Sequence, residues 1–270
     1  MNLSVATVIP YSPEHTSEGM LLRAKESVRA QSVPTEIITI EESAHKGPAW
    51  ARNAGMRATE ADFVAFLDAD DVWYPDKLEK QLKAMDKHGV GICVEGNCEE
   101  ENKKIDTTEF IEGLLFGELE SLTSSILIDR RLVSVQFREE LERLEDHLFM
   151  IESALQSGVC AVDGPIVENK KHAGGLSAQG TAEKMYRSRF KLAAYLQQHD
   201  KTEEYADRLR WLACYALGKQ QQFRGDVGSA LSPLIQSLHF GIRTETLRAL
   251  ATTPWYLAER IVRSGGESHQ

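Results

Sequence analysis

Apolar residues run almost unbroken through "LSVATVIP" (residues 3 to 10), which reads as a buried β-strand halted at Pro10. "EGMLLRAKESVRAQ" then places Leu21, Ala24 and Val28 on one helical face, and "TEIITIEES" returns to a β-branched run. These three pieces predict a β-α-β unit. Gly47 and Pro48 open a second helix, "PAWARNAGMRAT", Pro48 suiting a first helical position, where a backbone N–H would have no partner. That helix leads into the strand "DFVAFLD". Pro75 is expected to begin a third helix, with Leu78, Leu82 and Met85 as its apolar stripe and Gly89 as its C-terminal cap; "VGICVEGN" follows as a fourth strand. Strands alternating with helices imply an α/β fold, a parallel sheet covered on both faces, and ligands of such sheets sit beyond the strands' carboxyl ends.

From about residue 100 to 175 the pattern loosens. "TSSILIDRR" reads as a strand, "LEDHLFMIESALQSG" as a helix and "VCAVDGPIVENKKH" as a closing strand. Beyond residue 180 strand signals vanish and helical ones run to about residue 263, before a frayed tail, "SGGESHQ". Leu217, Gly218, Gly225, Ala230 and Leu234 fall in register for a tetratricopeptide-like helix hairpin, and no second copy is present. Such repeats need roughly three units to bury their faces. The helical part is therefore expected to pack on the preceding domain; a partner-binding role is the alternative. The expected boundaries are 1–178 for the α/β domain, 179–263 for a helical extension and 264–270 for a flexible tail.

Composition narrows the class. No apolar run approaches the ~20 residues of a membrane span, and "MNLSVATVIPYSP" goes straight into a strand without a secretory signal, so residence in the cytoplasm is expected. Cys93, Cys98, Cys160 and Cys214 show neither a C-x-x-C pair nor zinc-like spacing, which suits reduced, buried thiols. A formal charge of -10 argues against nucleic acid as a partner, because phosphate binding needs clustered Lys and Arg. Near the end, "TTPWYLAERIVR" sets Trp255, Leu257, Ile261 and Val262 beside Arg260 and Arg263. Such a helix either packs in a core or lies peripherally at the cytoplasmic membrane face, close to a lipid-linked acceptor.

The candidate chemistry lies in "ADFVAFLDADDVWYPDKLEKQ" (residues 61 to 81), where a greasy strand runs out into Asp68, Asp70 and Asp71. Like charges so close repel, and a bound cation would answer the repulsion. Mg²⁺ or Mn²⁺ takes one or two carboxylates and fills its other positions from water and substrate phosphates. The plainer reading is an acidic turn capping the helix expected from Pro75. On residue types alone both stand.

"VATVIP", "SVRAQSVPTEIITIEES" and "GPAWARNAGMRATEADFVAFLDADDVWYPDKLEKQ" together resemble the N-terminal half of family 2 glycosyltransferases, which have the GT-A fold: a Rossmann-like, mostly parallel sheet flanked by helices. The blocks match in order and spacing over roughly residues 4 to 85, and more loosely through "FREELERLEDHLF" and "KHAGGLS". The resemblance implies that Pro10, Tyr11 and Glu41 or Glu42 hold the base and ribose of a nucleoside-diphosphate sugar. It also implies that Arg52 faces the nucleotide or diphosphate, that Asp68 meets the ribose and the metal shell, and that Asp70 binds Mn²⁺ or Mg²⁺ directly. Asp71 is expected at a helix start. Asp146 takes the place of the family's general base, with Glu145 as the fallback, and His172 that of a loop histidine completing the metal or diphosphate site. The sequence departs from the family where the usual Thr-Tyr-Asn becomes "YSPEH" and Asp-Asp-Gly-Ser becomes "EES".

The implied activity is metal-dependent, inverting transfer of a sugar to an acceptor hydroxyl of a glycan or lipid-linked glycan. Processive relatives carry Gln-x-x-Arg-Trp and membrane spans; "DRLRW" has Asp207 in the glutamine's place, so one sugar is expected per acceptor. Two rival readings are a sugar nucleotidyltransferase, for which "PYSPEHTSEG" is poor in glycine and basic residues, and a catalytically degenerate nucleotide-sugar-binding scaffold.

Overall fold

The computed structural model describes residues 3–42, 46–96, 102–117, 119, 122–169 and 181–253. The chain divides into two compact units, residues 1–140 with 145–179, and residues 141–144 with 180–270.

The first unit is built on a seven-stranded sheet in the order β2-β1-β3-β7-β5-β8-β6. β1 (Val5–Tyr11) pairs in parallel with β2 (Glu36–Glu41) on one side and β3 (Phe63–Phe66) on the other. All seven residues of β1 are buried, as a strand covered on both faces requires. β7 (Leu127–Asp129) runs antiparallel to β3 and to β5 (Ile92–Gly96); β8 (Val159–Asp163) is parallel to β5, and β6 (Asn102–Ile105) antiparallel to β8. Five of the seven strands thus share one direction, and the sheet is mixed where alternation alone implied a parallel one. The order reverses at β1: the chain steps from β1 outward to β2, then returns to β3 on the opposite side. Such a switch point leaves a crevice at the carboxyl ends.

Helices connect these strands. α1 (Glu18–Arg29) begins at Ser17, whose hydroxyl accepts from the Met20 N–H, and α2 (Gly47–Arg57) carries Pro48 in its first turn. α3 (Lys77–His88) ends at Gly89 in a left-handed conformation (φ 62°), as the sequence predicted. It starts two residues later than expected, because Pro75 stays in the preceding turn and Asp76 occupies the cap position. Between β3 and α3 lies a strand the sequence reading missed, β4 (Val72–Trp73), which pairs antiparallel with β9 (Val167–Glu168). The expected closing strand is in fact β8 and β9, broken at Gly164 (φ 81°). "TSSILIDRR" is a strand only at β7; Thr123–Ser125 form a 3₁₀ turn ahead of it. α4 (Thr107–Phe116) and α5 (Glu145–Ser157) complete the unit.

The second unit is helical: α6 (Ala182–Leu196), α7 (Glu203–Phe223), α8 (Val227–Ser237) and a helical stretch over residues 244–253. The hairpin of α7 and α8 turns at Gly225 (φ 77°), and Gly218 lets the helices approach closely. A Cβ there would lie 2.5 Å from Leu234 Cγ. Among the described residues no helix is long and apolar enough to cross a membrane. Cys93, Cys160 and Cys214 are buried free thiols. Cys98, the 254–263 part of the amphipathic segment and the tail 264–270 lie outside the described residues.

Candidate functional site

The carboxyl ends of β1, β2 and β3 gather most of the sequence-predicted residues. Pro10 and Tyr11 end β1, buried, and Tyr11 stands in register with Glu41, whose side of the edge strand is exposed. The next residue, Glu42, donates its backbone N–H to the Tyr11 carbonyl at 2.8 Å. Burial raises the Glu42 pKa, as does Asp68, while the charges of Arg52 and His15 oppose the rise. Glu42 therefore feels the centre of the site without bonding to it.

At the tip of β3 the chain turns over Asp68 to Asp71, the Asp71 N–H donating to the Asp68 carbonyl at 3.0 Å. Asp71 does not start a helix. It is buried, and its Oδ2 accepts the Ser124 hydroxyl at 2.6 Å, six positions ahead of α3. The Ser124 oxygen in turn accepts the Asp68 backbone N–H at 3.0 Å. Asp70 stands partly exposed on the turn.

Arg52 ties this turn to the start of α5. It is 3% exposed, donating from Nη2 to Asp68 Oδ1 at 2.8 Å and from Nη1 to Glu145 Oε1 at 3.0 Å. Burial alone would weaken its charge, but Asp68 and Glu145 outweigh that and hold the guanidinium's pKa above its ordinary value. An aromatic floor confines it. The guanidinium carbon lies 5.3 Å from the Phe137 ring centre, and Phe137 stacks on Phe149 at 4.0 Å. The neighbouring Asn53 holds Phe137 by its backbone, donating to the carbonyl and accepting from the N–H, each at 2.9 Å. Arg52 Nε is buried without a hydrogen-bond partner, so the two terminal nitrogens serve the carboxylates and the third nitrogen of the fork is left over.

Glu145 and Asp146 open α5 immediately after Leu144, which has a left-handed φ of 66°. Acids suit that first turn electrostatically. Burial and the adjacent Asp146 raise the Glu145 pKa against the pull of Arg52. Asp146 goes the other way. Burial would raise its pKa, but His147, by charge and hydrogen bonds, and Arg52 bring it well below the usual carboxylate range. Its Oδ1 accepts the His147 backbone N–H at 2.8 Å and faces the ring Nδ1 at 2.9 Å, and its Oδ2 accepts the Thr123 hydroxyl at 3.1 Å.

The structure thus joins Arg52, Asp68 and Glu145 directly, sets Asp146 beside them and lines the same edge with Pro10, Tyr11 and Glu42. His172, with Lys170 and Lys171, lies outside the described residues. Sequence reasoning missed Thr123, Ser124 and His147. A run of small hydroxyl residues directly ahead of an apolar strand was the available signal for the first two.

As to a metal, Asp68 and Asp70 offer only hard oxygen donors, and Asp68 keeps Oδ2 clear of Arg52. Among the described residues no three His, Cys, Asp or Glu side chains gather into a metal cage. A donor set of one or two carboxylates fits an Mg²⁺-like ion that retains water and phosphate ligands, and does not fit zinc.

Residues 29–120 match the family model described as Glycosyl transferase family 2. The putative glycosyltransferase EpsH of Bacillus subtilis (strain 168) is 28% identical over 188 residues, which are 61% of this chain and 54% of that one. WfgD of Escherichia coli, a UDP-Glc:alpha-D-GlcNAc-diphosphoundecaprenol beta-1,3-glucosyltransferase, is 38% identical over 66 residues, 24% of this chain and 26% of its own. The chain spans about half the length of the EpsH relative. S. aureus TarS 1-349, solved in complex with UDP-GlcNAc, superposes with a TM-score of 0.65 at 14% identity, covering 97% of this chain and 92% of that one. The sheet order, the acidic turn and the matched segment agree: residues 29–120 are similar to the family 2 glycosyltransferases, and the chain has a GT-A-like fold.

Proposed function

We propose that this chain transfers a sugar from a nucleoside-diphosphate sugar to an acceptor hydroxyl, with inversion and one sugar per acceptor. The observation that carries the reading is Arg52, buried between Asp68 at the tip of β3 and Glu145 at the start of α5. This one side chain connects the acids suited to a charged donor with the acids suited to deprotonating an acceptor. The donor complex in the name of the TarS structure supports a nucleotide sugar, and the diphosphoundecaprenol-linked substrate in WfgD's name supports a lipid-linked acceptor. Such an acceptor would bring the chain to the cytoplasmic membrane face as a peripheral protein.

In this reading Pro10, Tyr11, Glu41 and Glu42 border the base and ribose, and Arg52 fixes the carboxylates around the diphosphate. Asp68 and Asp70 would hold Mn²⁺ or Mg²⁺, with His172 as a further contact to metal or diphosphate. The ion, when bound, would neutralise charge on the leaving diphosphate. Asp146 takes the proton from the acceptor hydroxyl as its oxygen bonds to the anomeric carbon. The bond from that carbon to the diphosphate oxygen breaks on the opposite face, and the diphosphate leaves with the electron pair. A single displacement of this kind inverts the anomeric configuration. Because His147 and Arg52 hold Asp146 ionised, it is ready to accept a proton across the physiological range, at the cost of being a weak base.

Nucleoside diphosphate release from UDP-GlcNAc, UDP-glucose and GDP-mannose, measured with and without Mn²⁺, tests the proposal. Turnover of one donor should fall at least a hundredfold in Asp70→Ala, about 2.7 kcal/mol of transition-state stabilisation. Equal turnover by variant and wild type would refute metal-assisted transfer at this turn.

A further inference from the structure

Thr123, Ser124 and Ser125 form a single 3₁₀ turn, 7%, 0% and 2% exposed, between the two acidic groups. Their side chains and carbonyls point in three directions. Ser124 serves the β3 tip, donating its hydroxyl to Asp71 Oδ2 at 2.6 Å and accepting the Asp68 N–H at 3.0 Å. One residue earlier, the Thr123 hydroxyl donates to Asp146 Oδ2 at 3.1 Å. The carbonyls face the body of the domain: that of Ser124 accepts Trp73 Nε1 at 2.7 Å, and that of Ser125 accepts Gln81 Nε2 at 2.7 Å. Gln81 lies in α3, Trp73 in β4, and Ile126, the next residue, accepts the Phe66 N–H at 3.3 Å. The turn is therefore fixed to three elements while its hydroxyls reach two others.

We propose that Thr123 and Ser124 are positioning residues, which through one rigid turn set the spacing between the donor-binding acids at Asp68 to Asp71 and the base at Asp146. Neither hydroxyl touches substrate in this arrangement. Ser124 fixes the backbone and the inner carboxylate of the acidic turn, on which Asp68 and Asp70 stand partly exposed. Thr123 ties Asp146 Oδ2 to the turn, while Oδ1 stays with His147, so the carboxylate's orientation is set from both sides. Adjacent residues in one turn cannot shift independently, so the two halves of the site keep their separation. The inference rests on the glycosyltransferase reading and deepens it.

The full chain carrying Ser124→Ala, Asp71→Asn, Thr123→Val or Thr123→Ser tests it. Calorimetric binding of Mn²⁺ with UDP and with GDP reads the donor half; turnover of UDP-GlcNAc, UDP-glucose and GDP-mannose reads the base. Ser124→Ala and Asp71→Asn should each weaken nucleotide binding about tenfold, the effect of one buried hydrogen bond, with a smaller change in kcat. Thr123→Val should bind nucleotide within about twofold of wild type and lose about tenfold in kcat, and Thr123→Ser, which keeps the hydroxyl, should recover most of it. Should Ser124→Ala fail to fold, Asp71→Asn weakens the same bond from its other end by leaving the Ser124 hydroxyl only a neutral amide oxygen to donate to. Variants that change only the melting temperature, or a Thr123→Ser no better than Thr123→Val, would overturn the positioning role. A wild type that binds neither nucleotide would instead bring down the underlying functional reading, and this inference with it.

Discussion

Arg52 on α2 and Lys77 on α3 are cations of nearly equal burial, 3% and 0% exposed, in opposite surroundings. Arg52 has two carboxylates on its fork, and its charge is secured. Lys77 has no carboxylate partner among the described residues. Its Nζ donates to Gln81 Oε1 at 2.6 Å and lies 4.1 Å from the Trp73 ring centre, at the first residue of a helix, where the dipole disfavours a positive charge. Burial brings its pKa down to about 7, with Cys93 and Glu95 opposing. The same depth thus fixes a permanent charge in one place and a nearly titrated amine in the other. Burial sets the penalty, and the partner decides who carries the charge. Arg52→Met is the strongest test. It would leave Asp68 and Glu145 facing each other unpaired, and the loss should be about 3 kcal/mol in urea unfolding, the lower end for a broken buried pair because Asp68 is partly exposed. Donor turnover should disappear with it. A loss no larger than that in Lys77→Met would break the comparison.

Lys77→Met sharpens the other side. In the unfolded chain Lys77 stays charged up to the ordinary lysine value of 10.5, whereas in the folded protein it loses its proton near pH 7. Between those values the unfolded state binds more protons, so this group adds stability as pH rises through the window and none of that gain is present below it. Wild type minus variant should therefore grow by up to about 1.4 kcal/mol per pH unit above pH 7. The Cys93 thiol, whose pKa burial raises well above its ordinary value against the pull of Lys77, rises further in the variant and stays protonated in both proteins through the lower part of the window. Urea titrations at pH 7, 8 and 9 would show it; parallel curves would mean that Lys77 remains protonated in the fold.

Most of the candidate site's edge was legible in the sequence because its signals are local. A buried run ending in acids, Pro48 at a helix start and Gly89 at a helix end are each specified within a few residues, and the structure places them as read. What escaped depends on distant partners. β4 is two residues long and exists because Trp73 and Val72 pair with β9 almost a hundred residues on, and Glu95 holds that partner by accepting the Ile166 and Val167 N–H groups at 3.1 Å. The antiparallel β7 looks like any apolar run, since direction within a sheet leaves no mark on composition. Asp71 reads as a helix-start acid until Ser124, 53 positions away, claims it. Arg52, expected to face the nucleotide or diphosphate, has both terminal nitrogens on carboxylates, one of them Glu145, 93 positions away, and that pairing is not written in the local sequence.

Trp73→Phe gives the smallest of these effects and separates the two environments most finely. The indole N–H is the group that connects Lys77's aromatic neighbour to the turn at Ser124, donating to its carbonyl at 2.7 Å. Phe keeps a ring under the ammonium and loses that bond, leaving one buried carbonyl with a partner fewer. The expected loss is about 1 kcal/mol in urea unfolding at pH 7. A phenyl face also attracts a cation less than an indole face. The Lys77 amine should then give up its proton at lower pH, and the rise of stability with pH should begin earlier than in wild type. If the onset stays in place while stability falls, the ring contributes nothing to holding the ammonium, and Gln81 with solvent exclusion alone sets the Lys77 charge.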